Sequence, residues 1–453
     1  MSKRLILVLT FAFVVGIACA AYAEVQNIKV SGDMTGITTS RQMFGLGGST
    51  SVSGNKKSDS ENLLLSQVRV RIDADLTDNV MATVRLLNER NWDSETNSNT
   101  DIDLDLAYVT IKELLYSPLS VSVGRQELKF GNGLIIGNAR NYAAGATSPL
   151  NGVPSDLTVR KAFDAMTATL NYDPLVITGM YAKIDGGTRT ITNAAGTTST
   201  ENLNTDLWGI NASYDLGRRN TKVDAYFYNR NGNGTGNTAT TDKSVTTRTV
   251  GALLSTAPIE DLKASLEGAY QFGNASGASP KRTAYAVQAM ADYTLSKVKF
   301  TPAIGASYTY LSGDKDSTDN KNKAWDAMYY DQALNSIAYA ILPFSNLQVV
   351  NLRGSMKPKD DITLGVNYGY YRLAQKTSSL TSTNFDSNGN TYTYLMDSDK
   401  KDLGNEVDLT ATYDYTEDVQ FGLSAGWFKP SKAFAEQNRT DATQFIGSMK
   451  VTF

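Results

Sequence analysis

Gln67-Val-Arg-Val-Arg-Ile-Asp-Ala-Asp-Leu76, Thr77-Asp-Asn79 and Val80-Met-Ala-Thr-Val-Arg-Leu-Leu-Asn-Glu89 read as two strands around a tight turn. Side chains on a strand alternate between its faces. Val68, Val70, Ile72, Ala74 and Leu76 therefore share one side, and Arg69, Arg71, Asp73 and Asp75 the other. Beyond the turn at Asp78 and Asn79 the split returns, with Val80, Ala82, Val84 and Leu86 against Thr83, Arg85 and Glu89. One face is apolar and the other ionic.

For a lone hairpin this pattern fits a soluble sandwich. It recurs, however, to the end of the chain. Working outward, strands are expected near 25–40, 67–76, 80–89, 102–108, 119–130, 162–170, 175–184, 207–214, 221–230, 246–255, 262–272, 282–293, 298–311, 347–357, 362–374, 405–413, 419–428 and 440–453. That makes about eighteen, an even number, with short turns alternating with longer polar loops, as in a closed barrel whose termini both lie in the periplasm. The reading then inverts: the apolar face meets lipid and the ionic face lines water. The expected fold is all-β, a transmembrane antiparallel β-barrel of about eighteen strands. On its last strand Phe445, Gly447, Met449, Val451 and Phe453 share the outward face.

Residues 1–23 read as an export leader: Lys3 and Arg4, an apolar run to Ala18, and Ala21-Tyr22-Ala23 as an A-x-A cleavage site. Residues 24–453 are then one domain. Cys19 offers a competing lipoprotein reading, but Gly16-Ile17-Ala18 lacks the usual leucine before it. As the chain's single cysteine, it leaves the mature protein without a disulfide. No later apolar run reaches the ~18 residues a spanning helix needs, which is the normal appearance of a barrel. The 24 tyrosines suit interfacial girdles and the 36 glycines suit bends in a barrel wall. The formal net charge of −3 becomes −5 once Lys3 and Arg4 are removed, which argues against nucleic acid as a partner.

The chain has no histidine, so Ser-His-Asp and Cys-His arrangements are excluded, and a conventional zinc site with them. Aspartates at period two, such as Asp101, Asp103 and Asp105, read as a solvated lumen wall and not as a catalytic carboxylate pair. Asp314, Asp316 and Asp319 suggest a weak calcium loop, but the EF-hand spacing fails because Thr318 occupies the fifth ligand position. No cofactor, metal or catalytic group is expected. No plug or passenger domain precedes the first strand, and a pore remains.

Charges beside lumenal water decide which ions pass. Face assignment supplies Arg69, Arg71, Arg85, Lys222, Arg353 and Lys450 on the basic side. On the acidic side it supplies Asp73, Asp75, Asp103, Asp105, Asp224, Glu267, Glu406 and Asp408. In the fifth strand Leu119, Val121 and Val123 face lipid, and strict alternation would carry Arg125 out with them at a cost of about 2–4 kcal/mol near mid-depth. A bulge at Gly124 would reverse the parity and turn Arg125, Glu127 and Lys129 inward.

The run from Gly124 to Gly133, Gly-Arg-Gln-Glu-Leu-Lys-Phe-Gly-Asn-Gly, resembles the alginate-export family of outer-membrane barrels. Two later stretches are similar to the same family: Ser312-Gly-Asp-Lys-Asp through Lys323-Ala-Trp-Asp-Ala-Met-Tyr, and Leu403-Gly-Asn-Glu-Val-Asp-Leu-Thr through Tyr413. The resemblance runs over nearly the whole mature chain. It implies a monomeric barrel in the outer membrane of a Gram-negative-type bacterium, passing a polyanionic polysaccharide through a constriction of arginines and lysines. Arg125 is carried over by motif, and Arg140 and Arg160 by their place in the long loop 131–161.

The first functional expectation is a passive porin or exporter for anionic sugars, polysaccharide or other small anions, embedded in outer-membrane lipid and open to a periplasmic partner. The second is a non-selective diffusion or structural porin. A membrane-embedded hydrolase is a distant third, since histidine is missing.

Overall fold

A computed structural model of the protein describes residues 27–47, 59–92, 102–139, 152–192, 198–232, 245–275, 281–316, 319–333 and 335–453. The leader with Cys19 lies outside the described residues, and so does Arg140.

Eighteen strands form one antiparallel wall. They are β1 Asn27–Gln42, β2 Ser60–Thr77, β3 Val80–Asn91, β4 Asp103–Ile111, β5 Leu119–Gln126, β6 Phe163–Asn171, β7 Leu175–Thr192, β8 Thr198–Asp215 and β9 Lys222–Gly232. The second half comprises β10 Val245–Thr256, β11 Leu262–Asn274, β12 Lys281–Thr294, β13 Ala303–Leu311, β14 Leu347–Lys359, β15 Ile362–Leu373, β16 Asp402–Asp414, β17 Val419–Pro430 and β18 Ala442–Thr452. Each pairs with the next, and β18 returns to β1 in a register running from Asp33↔Thr452 to Gln42↔Thr443. Closure gives every strand of the wall a neighbour on both sides, which is the condition for a sheet to sit in hydrocarbon. Eight short turns of two to eight residues join strands at one end, where β1 also begins and β18 ends. The nine connections at the other end include the two longest, 127–162 and 312–346.

The alternation sets the faces. Val84 is 36% exposed while its neighbour Arg85 is 8% exposed, so the apolar side looks out and the charged side looks in. The outward belt continues round the circumference through Ile72, Ile210, Leu266, Ile304, Leu409 and Leu423. Tyr116 and Tyr172, hydroxyl to hydroxyl at 3.0 Å, mark its lower rim at the short-turn end.

The wall departs from strict alternation on β4 and from the expected bulge on β5. The β3–β4 register passes from Arg85↔Leu106 to Leu86↔Leu104, leaving Asp105 as an inserted residue. Leu106 and Tyr108 therefore turn into the lumen, although alternation from Leu104 would put them in lipid. The bulge aims the buried Asp105 carboxylate at Arg85, whose Nε donates to it at 2.6 Å. The bulge expected at Gly124 is absent: β5 pairs without a shift on both sides, Val109↔Val123 and Val123↔Met166, then Ala107↔Arg125 and Arg125↔Asp164. Gly124 has φ +128°, and a Cβ there would lie 2.1 Å from the Ala107 carbonyl oxygen. Glycine serves a close approach of β4 and β5, and Arg125 stays on the outer face.

A smaller difference falls at β13, which begins at Ala303. Phe300 and Thr301 have positive φ, and Pro302 accepts a hydrogen bond from Leu295 at 2.7 Å, closing a turn where a strand was expected.

Candidate functional site

An eighteen-stranded wall encloses more space than its own side chains fill. Here two long connections fold into it. The segments 127–162 and 312–346 meet as short parallel chains at Ile136↔Tyr329. Tyr329 donates to the Ile135 carbonyl at 3.0 Å, Gly137 to the Tyr329 carbonyl at 2.7 Å and Asp331 to the Gly133 carbonyl at 2.7 Å. Gly133 and Gly137 permit this contact: a Cβ at either would come within 3 Å of Asp331. Leu134, Ile135, Ile136, Met328 and Tyr329 are buried between the segments and the wall, where Phe163 meets Tyr329 edge to face at 5.6 Å. The larger apolar cluster among the described residues therefore includes both inward segments.

Buried polar anchors fix the second segment to the wall. Asp326 receives two hydrogen bonds from Arg230 of β9, at 3.1 and 2.5 Å, and one from Thr247 of β10, with Arg282 of β12 at 3.4 Å. Burial alone would push the Asp326 carboxyl up, but Arg230 and Arg282 outweigh it and bring it down to about 2. Further along, the short helix α1, Ser336–Ile341, points its first turn at β16. Glu406 accepts from the backbone of Ile337 and Ala338 at 2.7 Å each, and Asp408 from the Ser336 backbone at 3.0 Å and hydroxyl at 2.9 Å. These carboxylates satisfy amides that a helix start leaves unpaired.

On the opposite side, the lumenal arginines of β1–β4 each meet a carboxylate. Arg69 binds both oxygens of Asp33 at 3.0–3.1 Å, and Arg71 binds Asp73 at 2.7 and 2.9 Å. Arg85 bridges Asp105 and Glu127. Arg41 reaches Asp156 and Glu61. Arg160, from the first inward segment, ties to Glu89 and Asp103, and Glu89 also accepts from Gln67, Thr158 and the Val159 amide. Between this wall and the inward segments lies a cavity of about 480 Å³ lined by Arg69, Glu127, Lys129, Thr158, Lys161 and Asp331. Lys129 and Lys161 both bind Asp331, at 2.9 and 2.7 Å. Burial would raise the Asp331 carboxyl, yet hydrogen bonds from Lys161 and Lys129 and their charge hold it below the ordinary carboxylate range.

Of the residues singled out in the sequence, the structure gathers Arg69, Arg71, Arg85, Lys129, Arg160, Asp73, Asp103 and Asp105 on the lumenal side of β2–β4 and the first segment. Asp75 follows Asp73 on the same face, opposite Met81. Arg353 is lumenal but stands apart on β14, bound to Asp292 at 2.8 Å and Ser307 at 3.1 Å. Glu406 and Asp408 are anchors of the inward segment instead of open pore lining. Arg125 is corrected: it bonds Asp164 at 3.2 Å on the outer face. In the Asp-rich loop, Asp319 binds Lys323 at 2.8 Å and Asp314 accepts from the Asp316 amide. Among the described residues no three His, Cys, Asp or Glu side chains converge.

Sequence reasoning missed Arg41, Lys161, Arg230, Asp326 and Asp331. A signal for two of them exists in Trp325-Asp326-Ala327-Met328-Tyr329-Tyr330-Asp331, an apolar run too greasy for an exposed loop and bracketed by two acids.

The comparisons with known proteins fit this geometry. Solved structures with the same fold include Pseudomonas aeruginosa OccK3 (OpdO), with a TM-score of 0.55 at 12% identity over 95% of this chain and 97% of that one. OccK2 (OpdF) in complex with glucuronate, from the same organism, gives 0.54 at 11% over 95% and 99%. The P. aeruginosa outer membrane protein OpdK gives 0.56 at 9% over 95% and 100%. No curated protein matches the chain in sequence. The family model described as alginate export matches residues 47–448. This chain belongs to the alginate export family, as a porin-type transport barrel of the Gram-negative outer membrane.

Proposed function

We propose that the barrel passes anionic sugars or polysaccharide of the uronate class by passive, selective diffusion, with no covalent step. The observation that carries this reading is the cavity in which Arg69, Lys129 and Lys161 stand together at the edge of the inward segments. A carboxylate arriving there meets two lysines that already hold a carboxylate, Asp331, with the geometry it would itself adopt. Exchange of one carboxylate for the other makes entry favourable and release quick, the balance a conducting site needs. Glu127 and Asp331 keep the well shallow. OccK2, a barrel of the same fold, has been crystallised with glucuronate, a ligand of this charge type. The belt of outward apolar residues fits a barrel standing alone in lipid.

Reversal potentials in planar bilayers test the reading. The channel is expected to prefer anions, glucuronate oligomers to block its current at concentrations where neutral oligosaccharides do not, and Lys129→Ala with Lys161→Ala to abolish both effects. Weak selectivity insensitive to that double substitution would instead establish a general diffusion pore, the reading favoured by the pairing of Arg69, Arg71 and Arg85 with acids.

A further inference from the structure

Most charges in the lumen meet an opposite charge, but Glu267 of β11 does not. Ser213, Asp224, Leu253 and Glu267 form a continuous register row on four consecutive strands, and Gln288 of β12 extends it. All five are lumenal and only 2–6% exposed. Asp224 has Lys222 at 3.9 Å, from the exposed strand end. Glu267 has no basic partner among the described residues. Its Oε1 accepts from the Tyr226 hydroxyl at 2.8 Å, and its Oε2, also buried, meets no donor.

The neighbours deepen the imbalance. Tyr226 reaches Glu267 by lying across Gly251, where a Cβ would stand 2.5 Å from its hydroxyl. Asn211 is directly opposite Tyr226, and its Oδ1 is buried without a partner, as are the Ser213 Oγ and the Tyr228 hydroxyl. Each of these atoms can accept, and two of them, the Glu267 and Asn211 oxygens, can only accept. A buried carboxylate that lacks a counter-charge and leaves one oxygen without a donor is costly. Oxygen acceptors alone, with two carboxylates among them, are the donor set of a hard cation.

We propose that this cluster binds a hard cation, calcium in the first instance, between the Asp224 and Glu267 carboxylates, with Ser213 and Asn211 completing its shell directly or through water. The ion would sit beneath the first inward segment, which touches the same wall: a Cβ on Gly131 would lie 2.9 Å from Leu253 Cδ2, and Asn132 donates to Ser265 at 3.4 Å.

The stacked rings of Tyr226 and Tyr228, 5.1 Å apart, provide the readout. Terbium added to the full chain in detergent is expected to give saturable tyrosine-sensitised luminescence that calcium reverses. Glu267→Gln and Asp224→Asn should each lower the terbium affinity at least tenfold, while Asp314→Asn, in the acidic loop, leaves it unchanged. Heat-dependent electrophoretic mobility reports whether each variant is folded, and calcium retained after dialysis, counted by atomic emission in the unsubstituted protein, supplies a measurement that needs no variant. Absence of both terbium luminescence and retained calcium overturns the proposal. So does luminescence that survives both substitutions or is lost in Asp314→Asn.

Discussion

Arg85 and Arg125 flank β4 one register step apart, the first opposite Leu106 and the second opposite Ala107, yet they look in opposite directions. Arg85 is enclosed between Asp105 and Glu127 in the lumen. Arg125 opens an exposed row of directly paired charges, Arg125↔Asp164↔Lys183↔Asp206, across β5–β8. That row lies at the long-loop end of the wall, two residues beyond the outward Tyr181 and Trp208, where charge costs only about 0–1 kcal/mol against headgroups and water. The same alternation of cation and carboxylate thus shapes a constriction on one side of the wall and decorates a membrane rim on the other. Residue type does not distinguish the two; parity does.

Three substitutions test the contrast. The largest effect is expected for Asp326→Ala, which strands Arg230 and Arg282 inside the lumen. Removing one member of a buried pair costs about 3–5 kcal/mol, read as a lower denaturation midpoint together with higher single-channel conductance as the second segment undocks. The folded carboxyl lies at about 2, below the unfolded value near ~3.9. Its contribution is therefore present in full above pH 4 and is lost as pH falls toward 2. Conductance that responds to Asp326→Ala no more than to a surface substitution would mean that the segment is held elsewhere.

Next comes Arg85→Ala. It leaves Asp105 and Glu127 facing the pore without their cation, and the anion-to-cation permeability ratio should fall about fivefold in reversal-potential measurements. The smallest effect is expected from Arg125→Ala: stability within about 1 kcal/mol and an unchanged permeability ratio. Equal shifts in selectivity from these two arginines would erase the distinction between the faces.

The wall was legible because its signal is local. Alternation and the turn residues Asp78-Asn79 placed β2 and β3, and alternation placed β14 and β15, with their short-turn ends within two residues of those observed. The parity of β4 was not legible, since nothing about Asp105-Leu106 marks an inserted residue, whereas Gly124 advertises one and uses its freedom for a close backbone contact. Arg125 was assigned to the pore for that reason. The inward segments were hidden for a different cause: Asp326 finds Arg230 from 96 residues away, and Lys161 finds Asp331 from 170. Short-range periodicity carries no information about such pairings. It also could not reveal that Glu406 and Asp408, correctly placed on the inner face, spend their charge on the amides of α1.

The seam between β1 and β18 is what closes the wall. Ten residue pairs join the first strand to the last, and the terminal Phe453 exchanges backbone hydrogen bonds with Gly32 at 2.8 and 3.0 Å. Until those two strands meet, the sheet has two raw margins open to pairing with another chain. The seam is thus the one contact on which every other strand's protection from aggregation depends.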